Sequence, residues 1–581
     1  MRYAITFVHA PVVTYDQNYG TRFAPLWAYT LAAYVPDDWQ VTIAEGASAT
    51  PSALQGADVF AFYGINQDLP SILAVQRQLK VKYPSARFIV GGPLTWSFEQ
   101  EGRLELLDSF DFVFLLDGEE TLPRFLNALA NDNLSALPRT IRAERFDLAA
   151  ARSIRFSDYR KNFKHYYGAV IEVSRGCPFL CEFCDIRVVP GNNRANNKPV
   201  ALILQEMDEY LALGVTQFLF VCDNFIGNPA WARECAEAII AWRERHPARI
   251  SIFTWLTINL YKLPDLMGLL RRAGFSILYI GIESVNQNAL LETAKVQNRV
   301  DLTKAVSKIQ GYGFVIAPGL IFGFDSDTEA VFRDTLEFII ESGLIGGDPS
   351  FLSALPGTPL FERMKRTGRL VEPPGVATER RKVSTNIRYL QPRAALSEGF
   401  LWFMSELNGA QAQLARFRQH LALLTASEDF VPSGGEGYGS PSQYLRLQFA
   451  DATNRQMLVA RLSFLAKPQN ALAAARGFLL WRRAEKERPG LGVHFYFWLY
   501  FWTNLALKYR HLRAEDLDLH SATEGTNLAD LARDAAQALV HADGLVKRHS
   551  KAQQQARHTS LALQRLADAD VSPEGQSGLA R

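Results

Sequence analysis

Three of the five cysteines in this chain fall within eight residues, in Cys177-Pro-Phe-Leu-Cys181-Glu-Phe-Cys184, directly after the apolar run Val170-Ile-Glu-Val-Ser-Arg-Gly176. Three thiolates close together on one loop can each ligate one iron of a four-iron four-sulfur cubane and leave the fourth iron open to an outside ligand. An electron passed through that open iron to a sulfonium breaks a carbon–sulfur bond and releases a carbon radical, which side chains cannot do unaided. The competing assignment is a zinc knuckle. Zinc prefers four protein ligands, and no further Cys or His follows at suitable spacing. Cys222 and Cys235 read as small buried hydrophobes. Five cysteines in 581 residues are too few for a disulfide scaffold, so a reducing, cytoplasmic compartment is expected.

Such a loop needs a rigid frame. From 168 to 370 six apolar runs (GAVIEVS, TQFLFVCD, ISIFTWL, ILYIGIES, FVIAPGLIFG and PSFLSALP) alternate with helical stretches. This predicts a partial parallel β/α barrel with its chemistry at the C-terminal strand ends. Residues 1–135 repeat the alternation with AITFVHA, VTIAEG, ADVFAFYG, RFIVGGP and DFVFLL, the pattern of an N-terminal doubly wound parallel sheet. Ligands of such sheets sit beyond the strand ends, which here carry Gly64-Ile65-Asn66-Gln67, Gly91-Gly92-Pro93 and Gly118-Glu119-Glu120. Glycines at strand ends also serve tight turns with no ligand present. Residues 136–167 read as a polar linker, 371–520 as a mainly α-helical C-terminal domain, and 521–581 as a helical or disordered tail. The chain is thus expected to be α/β with a helical third layer.

A net charge of +2, with acids interleaved among the bases, gives no broad polyanion-binding field, so no nucleic-acid partner is expected. The N-terminal MRYAITFVHAPVV lacks a small-residue cleavage site and reads as a buried strand. The segment Leu491–Leu507 is dense in aromatics but, at seventeen residues, marginal for a membrane span. It could be a core helix, a lid for an apolar substrate, or an interfacial helix with Arg482, Arg483 and Lys486 facing headgroups, which would make the protein peripheral at the inner face of a membrane.

The cysteine spacing, with aromatic Phe183 before the third cysteine, resembles the hallmark of the radical S-adenosylmethionine (SAM) superfamily. The resemblance implies that Phe183 lies near the cofactor's adenine. It also implies that Gly281-Ile282-Glu283-Ser284 contacts its ribose and methionine, and that Gly319-Leu320-Ile321-Phe322-Gly323 is the adenine-binding strand. Asp223-Asn224-Phe225 takes the place of the usual glycine-rich motif, with Asn259 facing the same mouth. Read without the family, Glu283 could be a strand-end ion-pair partner and Asn259 a helix cap.

Residues 1 to about 450 resemble the cobalamin-dependent branch, nearest to hopanoid methylase-like members, with Thr385-Asn386 in the helical domain as part of the likeness. This implies cobalamin held by Gly64, Asn66, Gln67, Gly91, Gly92, Pro93, Gly118 and Glu119. It also implies an external electron donor of the flavodoxin or ferredoxin type, and methyl transfer to an unactivated carbon of a small or lipid-like substrate. Two departures stand out. The DxHxxG that supplies a histidine to cobalt is absent, since His9 is followed by Ala-Pro-Val, which leaves the Gly64 to Asp68 loop as the lower-face neighbour. Cys222 stands where relatives often carry an acid. The same cofactors could instead drive cyclisation, oxidation or rearrangement, the first domain could be a scaffold only, and a non-catalytic redox or docking module is the reading from a different class.

Overall fold

A computed structural model describes residues 3–10, 23–371, 383–432, 449 and 452–523. The expected tail beyond Thr523 lies outside the described residues.

The N-terminal sheet has six parallel strands: β1 (Tyr3–His9), β2 (Trp39–Glu45), β3 (Val59–Tyr63), β4 (Arg87–Gly91), β5 (Phe112–Leu115) and β6 (Thr140–Arg142), in the order β2-β1-β3-β4-β5-β6. Its central strands are nearly continuous apolar runs because helices cover both faces. Val8, Phe60, Phe62 and Val90 point into one core layer and Phe7, Val59, Ala61 and Ile89 into the other. The strand order reverses between β1 and β3, which places the ligand crevice of such a sheet beyond their carboxyl ends, beside Gly64. Strand β6 and the helix Phe156–Asn162 occupy part of the stretch expected as a linker. The sequence hides β6 because it has three residues and one buried side chain, Ile141, too few to show a period.

The second unit begins with β7 (Ala169–Glu172). A two-residue antiparallel ribbon, β8 (Ser174–Arg175) with β9 (Asn196–Asn197), brackets the cysteine loop. Then follow β10 (Gln217–Val221), β11 (Ser251–Leu256), β12 (Phe275–Glu283), β13 (Val315–Phe322) and β14 (Asp348–Phe351). With β7 these form one parallel sheet ordered β14-β13-β12-β11-β10-β7, the six-stranded incomplete barrel that the alternation predicts. Three of the described helices between these strands begin on side-chain caps: Asn228 accepts from Trp231 N–H, Asn286 from Asn288 N–H and Asp301 from Lys304 N–H.

Among the described residues five helices follow: Arg393–Asn408, Ala410–Ala426, Ala452–Leu465, Pro468–Glu487 and Gly492–Lys508. They are framed by a parallel pair, β15 (Val383–Tyr389) and β16 (Leu517–Ser521). Thr385 and Asn386, expected among helices, therefore lie on a strand, where Asn386 exchanges two hydrogen bonds with the Ala354 backbone. The aromatic helix Gly492–Lys508 is core: Phe497, Trp498 and Trp502 are buried and pack, with Phe417 and Leu421, on Ile277, Val315 and Ala317 of the barrel. The helical layer thus covers the barrel face from which Tyr279 also projects.

Candidate functional site

The cysteine loop is anchored at each end and along its length. Gly176, just ahead of Cys177, has φ +89°, and a side chain there would run into the Arg194 carbonyl, so only glycine lets the chain turn. Its N–H donates to Asp223 Oδ2 at 2.5 Å, and the Cys177 N–H donates to the Asn192 carbonyl at 2.9 Å. Asn224 and Asp223 therefore do different work. The carboxylate fixes the loop entrance, while the almost fully buried Asn224 aims Nδ2 at Cys177 Sγ, 3.7 Å away. Cys181 Sγ accepts from Gln297 Nε2 at 3.4 Å.

Glu182, between two cysteines, is held by backbone and side chain alike. Its N–H donates to the Thr293 carbonyl at 2.8 Å and its own carbonyl accepts from Leu360 N–H at 3.2 Å. Arg363, on the helix Pro359–Arg366, grips its carboxylate with two bonds, Nε–Oε1 2.8 Å and Nη2–Oε2 2.9 Å. The same guanidinium reaches Asp325 at 2.5 Å, and Asp325 is shared with Arg369.

Burial and the nearby Cys181 charge push the Cys184 thiol up to about 12, and burial likewise raises Cys177. The raised Cys177 and Cys184 thiols need a positive partner before they can ionise, which is what a cluster of irons supplies. Among the described residues no three His, Cys, Asp or Glu side chains converge on one ion position, as a single zinc would require; thiolates bound to separate irons have no such need.

At the end of β12, Glu283 sits at φ +64°, an uncommon conformation for a side chain of this size. It is paired with Lys295 at 2.5 Å, both groups nearly buried. Burial works against the lysine's charge, but Glu283, then Cys181, outweighs it and holds its pKa above the ordinary lysine value. Lys295 Nζ also lies 5.7 Å from the Phe183 ring centroid, and Phe183 meets Phe324 edge-on. Gly281 makes room for the pair: a Cβ there would strike the Glu283 carboxylate and approach Lys295 Nζ to 2.9 Å.

Asn298 ties the end of β12 with Nδ2 bonds to the Gly281 and Ile282 carbonyls, at 2.8 and 2.7 Å. Three buried amide oxygens have no partner: Asn224 Oδ1 and Gln297 Oε1, whose amides touch Cys177 and Cys181, and Asn298 Oδ1 at the end of β12. Orphaned acceptors of this kind suit a ligand carrying an ammonium group and hydroxyls.

The remaining residues divide. Buried Ser284 accepts from Asn286 N–H at 3.1 Å and closes the turn after β12. Gly319 lies where a Cβ would come within 2.6 Å of Tyr279 Oη, Gly323 has φ +92° against the Tyr389 ring, and Ile321 between them is part-buried. Asn259 stands beyond β11 inside the short 3₁₀ turn Ile258–Lys262, where it accepts from the Thr257 hydroxyl rather than capping the turn.

In the first sheet, Gly64 packs against Ile72 and Asp68, with Asn66 and Gln67 in the half-open turn that follows β3. Gly92, at φ +94°, lets Tyr63 cover the start of the Pro93–Glu101 helix, and Gly118 faces Leu31. Glu119 is buried and its carboxylate is taken by Arg175 at 2.5 Å. Arg175 also pairs with Glu172 at 2.7 Å and Asp117 at 3.4 Å, so the loops after β5 and before Cys177 meet through one guanidinium. Sequence reasoning missed Arg175, Glu182, Lys295, Gln297, Asn298 and Arg363. Each is a single polar residue in an unremarkable run, and only burial distinguishes it.

Residues 171–339 match the model of the radical SAM superfamily. The chain is 29% identical over 352 residues to an uncharacterised methyltransferase of Synechocystis sp., covering 60% of this chain and 64% of that protein. It is 28% identical over 354 residues to the hopanoid C-2 methylase of Rhodopseudomonas palustris, covering 60% and 65%. The matched segments thus span just under two thirds of these relatives. Among solved structures it resembles OxsB, a cobalamin-dependent SAM radical enzyme solved with aqua-cobalamin and SAM, at TM-score 0.54 and 14% identity over 93% of this chain and 84% of that one. Residues 171–339 are a radical SAM domain, set within a chain that shares the fold of a cobalamin-dependent radical enzyme.

Proposed function

We propose that this protein is a cobalamin-dependent radical SAM enzyme that transfers a methyl group to an unactivated carbon of a small or lipid-like substrate, with electrons from an external flavodoxin- or ferredoxin-type donor. The observation that carries the reading is the convergence of Cys177, Cys181 and Cys184 with the buried Glu283–Lys295 pair and three orphaned amide oxygens.

The residues fit the groups. Cys177, Cys181 and Cys184 would hold a four-iron four-sulfur cluster. Glu283, Lys295, Asn224, Gln297 and Asn298 would receive SAM, and the turns at Gly64–Gln67, Gly91–Pro93 and Gly118 would receive cobalamin. Bound there, the cluster and cobalamin supply one-electron chemistry and a methyl carrier, neither of which side chains provide. The chain's own contribution is placement. Lys295 presents a cation to a carboxylate, Glu283 presents an anion to an ammonium, and neither shifts because each restrains the other. Phe183 and Phe324 exclude water from the thiols' side of the site, which protects a carbon radical from quenching. Arg175 fixes the first sheet's loops against the cysteine loop, so that two cofactors would face each other across a set distance.

The test is anaerobic reconstitution with iron, sulfide and hydroxocobalamin, followed by incubation with methyl-labelled SAM and extracted lipids or tetrapyrroles. Label in a carbon-bound methyl group supports the reading. Cobalamin retention with 5'-deoxyadenosine but no labelled product from any extract favours a cyclisation or oxidation, and cleavage without cobalamin retention reduces the first sheet to a scaffold.

A further inference from the structure

The aromatic helix that the sequence offers to a membrane is buried, yet the two helices packed on it present a different surface. The Ala452–Leu465 and Pro468–Glu487 helices form a hairpin with a two-residue connection, and both contact Gly492–Lys508. On the outward side of the first, Val459 is 62% and Leu462 58% exposed; on the second, Leu472 is 52%, Phe478 43% and Leu479 59% exposed. Val459 and Leu462, three apart, share one face of the first helix, and Leu472 and Leu479, seven apart, share one face of the second, with Phe478 at its border.

Charge on the same hairpin is predominantly basic, its two acids, Glu485 and Glu487, lying in the last turn, where Glu485 accepts from the Gly490 and Leu491 N–H groups. From Ala452 to Ala484 there are six Lys or Arg (Arg455, Arg461, Lys467, Arg476, Arg482 and Arg483) and no Asp or Glu. Arg476, Arg482 and Arg483 are exposed, and the latter two lie six and seven residues beyond Arg476, flanking the apolar face of the second helix. The rest of the chain does not share this bias, since its net charge is only +2 with 62 basic and 60 acidic residues.

We propose that the 452–487 hairpin docks the protein on an anionic lipid surface. Leu472, Phe478 and Leu479 enter the headgroup boundary, and Arg476, Arg482 and Arg483 meet lipid phosphates. An apolar stripe alone would suit a protein partner, and a basic stripe alone a solvated face. Their coincidence, with no acid from Ala452 to Ala484, is the pattern of an interfacial helix. Among the described residues no helix is long and apolar enough to cross a membrane, so the contact lies in the surface plane. The inference is independent of the reaction proposed above, because the hairpin contains none of the residues placed at the cofactor site.

The test is co-sedimentation of the full-length, anaerobically purified protein with vesicles of phosphatidylcholine alone and of phosphatidylcholine with phosphatidylglycerol. Binding is expected to the anionic vesicles, to weaken as salt rises, and to be slight on the neutral ones. Reversing three charges (R476E, R482E and R483E together) should weaken binding by about 100-fold. Leu472→Ser with Leu479→Ser should weaken it by about tenfold, with circular dichroism and iron content of both variants unchanged. No binding to anionic vesicles, or binding that both variants retain, overturns the proposal. So does sedimentation equilibrium showing a self-association that the two Leu→Ser changes abolish, since that face would then pair with a second copy.

Discussion

Replacing Arg363 with Met tests whether the cysteine loop is held by its own ionic clamp. The guanidinium makes two bonds to Glu182 and one to Asp325, with both arginine and acids nearly buried. Asp325 keeps Arg369 after the change, but Glu182 is left without its cation. Removing one partner from a buried pair costs about 3–5 kcal/mol, because the remaining charge must stay dry and unpaired or take up a proton. Glu182→Gln leaves no stranded charge beside Arg363, which keeps Asp325, and should cost about 1–2 kcal/mol. The double variant should recover part of the loss. At roughly 2–4 °C per kcal/mol for a domain of this size, Arg363→Met lowers the unfolding temperature by about 10 °C and Glu182→Gln by about 4 °C. Anaerobic differential scanning fluorimetry on protein without iron reads the clamp alone, and iron content after reconstitution reads its effect on the loop. Equal, small shifts in both variants would refute the reasoning.

Gly281→Ala places a methyl group against Glu283 and Lys295, so SAM binding measured by equilibrium dialysis should fall at least tenfold while iron content holds. Gly176→Ala should instead lose iron, since its φ and the Arg194 carbonyl forbid a side chain at the loop entrance. Asp327 is buried and its pKa is pushed up to about 6 by that burial, against the pull of the Asn286 amide. A raised carboxyl keeps its proton in the folded state after the unfolded chain has lost it. Its contribution is therefore present below the ordinary aspartate value near 4 and is lost as pH rises to about 6. The unfolding temperature of Asp327→Asn relative to the parent should accordingly climb between pH 4 and 6 and level off above, as thermal scans across that range would show.

Much of the frame was legible from residue patterning. All six barrel strands coincide with the apolar runs after 168, because strands buried on both faces must be nearly continuous in Val, Ile, Leu and Phe. Five strands of the first sheet follow for the same reason. Strand β6 escaped because three residues carry no period, and β15 and β16 because VSTNIRY and LDLHS are rich in polar residues and lie apart in sequence beside long helices. The cysteines announced themselves through spacing, whereas Lys295 did not. A lysine in AKVQN looks solvated, and its role depends on a chain path that returns it under Glu283 twelve residues later. The aromatic run at 491–507 resolves as core because buried Trp498 and Trp502 donate their indole N–H groups to the Gln413 and Asn408 carbonyls.

The central claim is that three thiols and the Glu283–Lys295 pair form one SAM-cleaving site beside a cobalamin-binding sheet. Anaerobic protein reconstituted with iron, sulfide and hydroxocobalamin should therefore retain near-stoichiometric cobalamin by ultraviolet-visible spectroscopy. Given reductant and SAM, it should form 5'-deoxyadenosine, and this activity should vanish when Cys177, Cys181 or Cys184 becomes Ala. Well-loaded protein that forms none, or that forms it undiminished without those cysteines, would contradict the account.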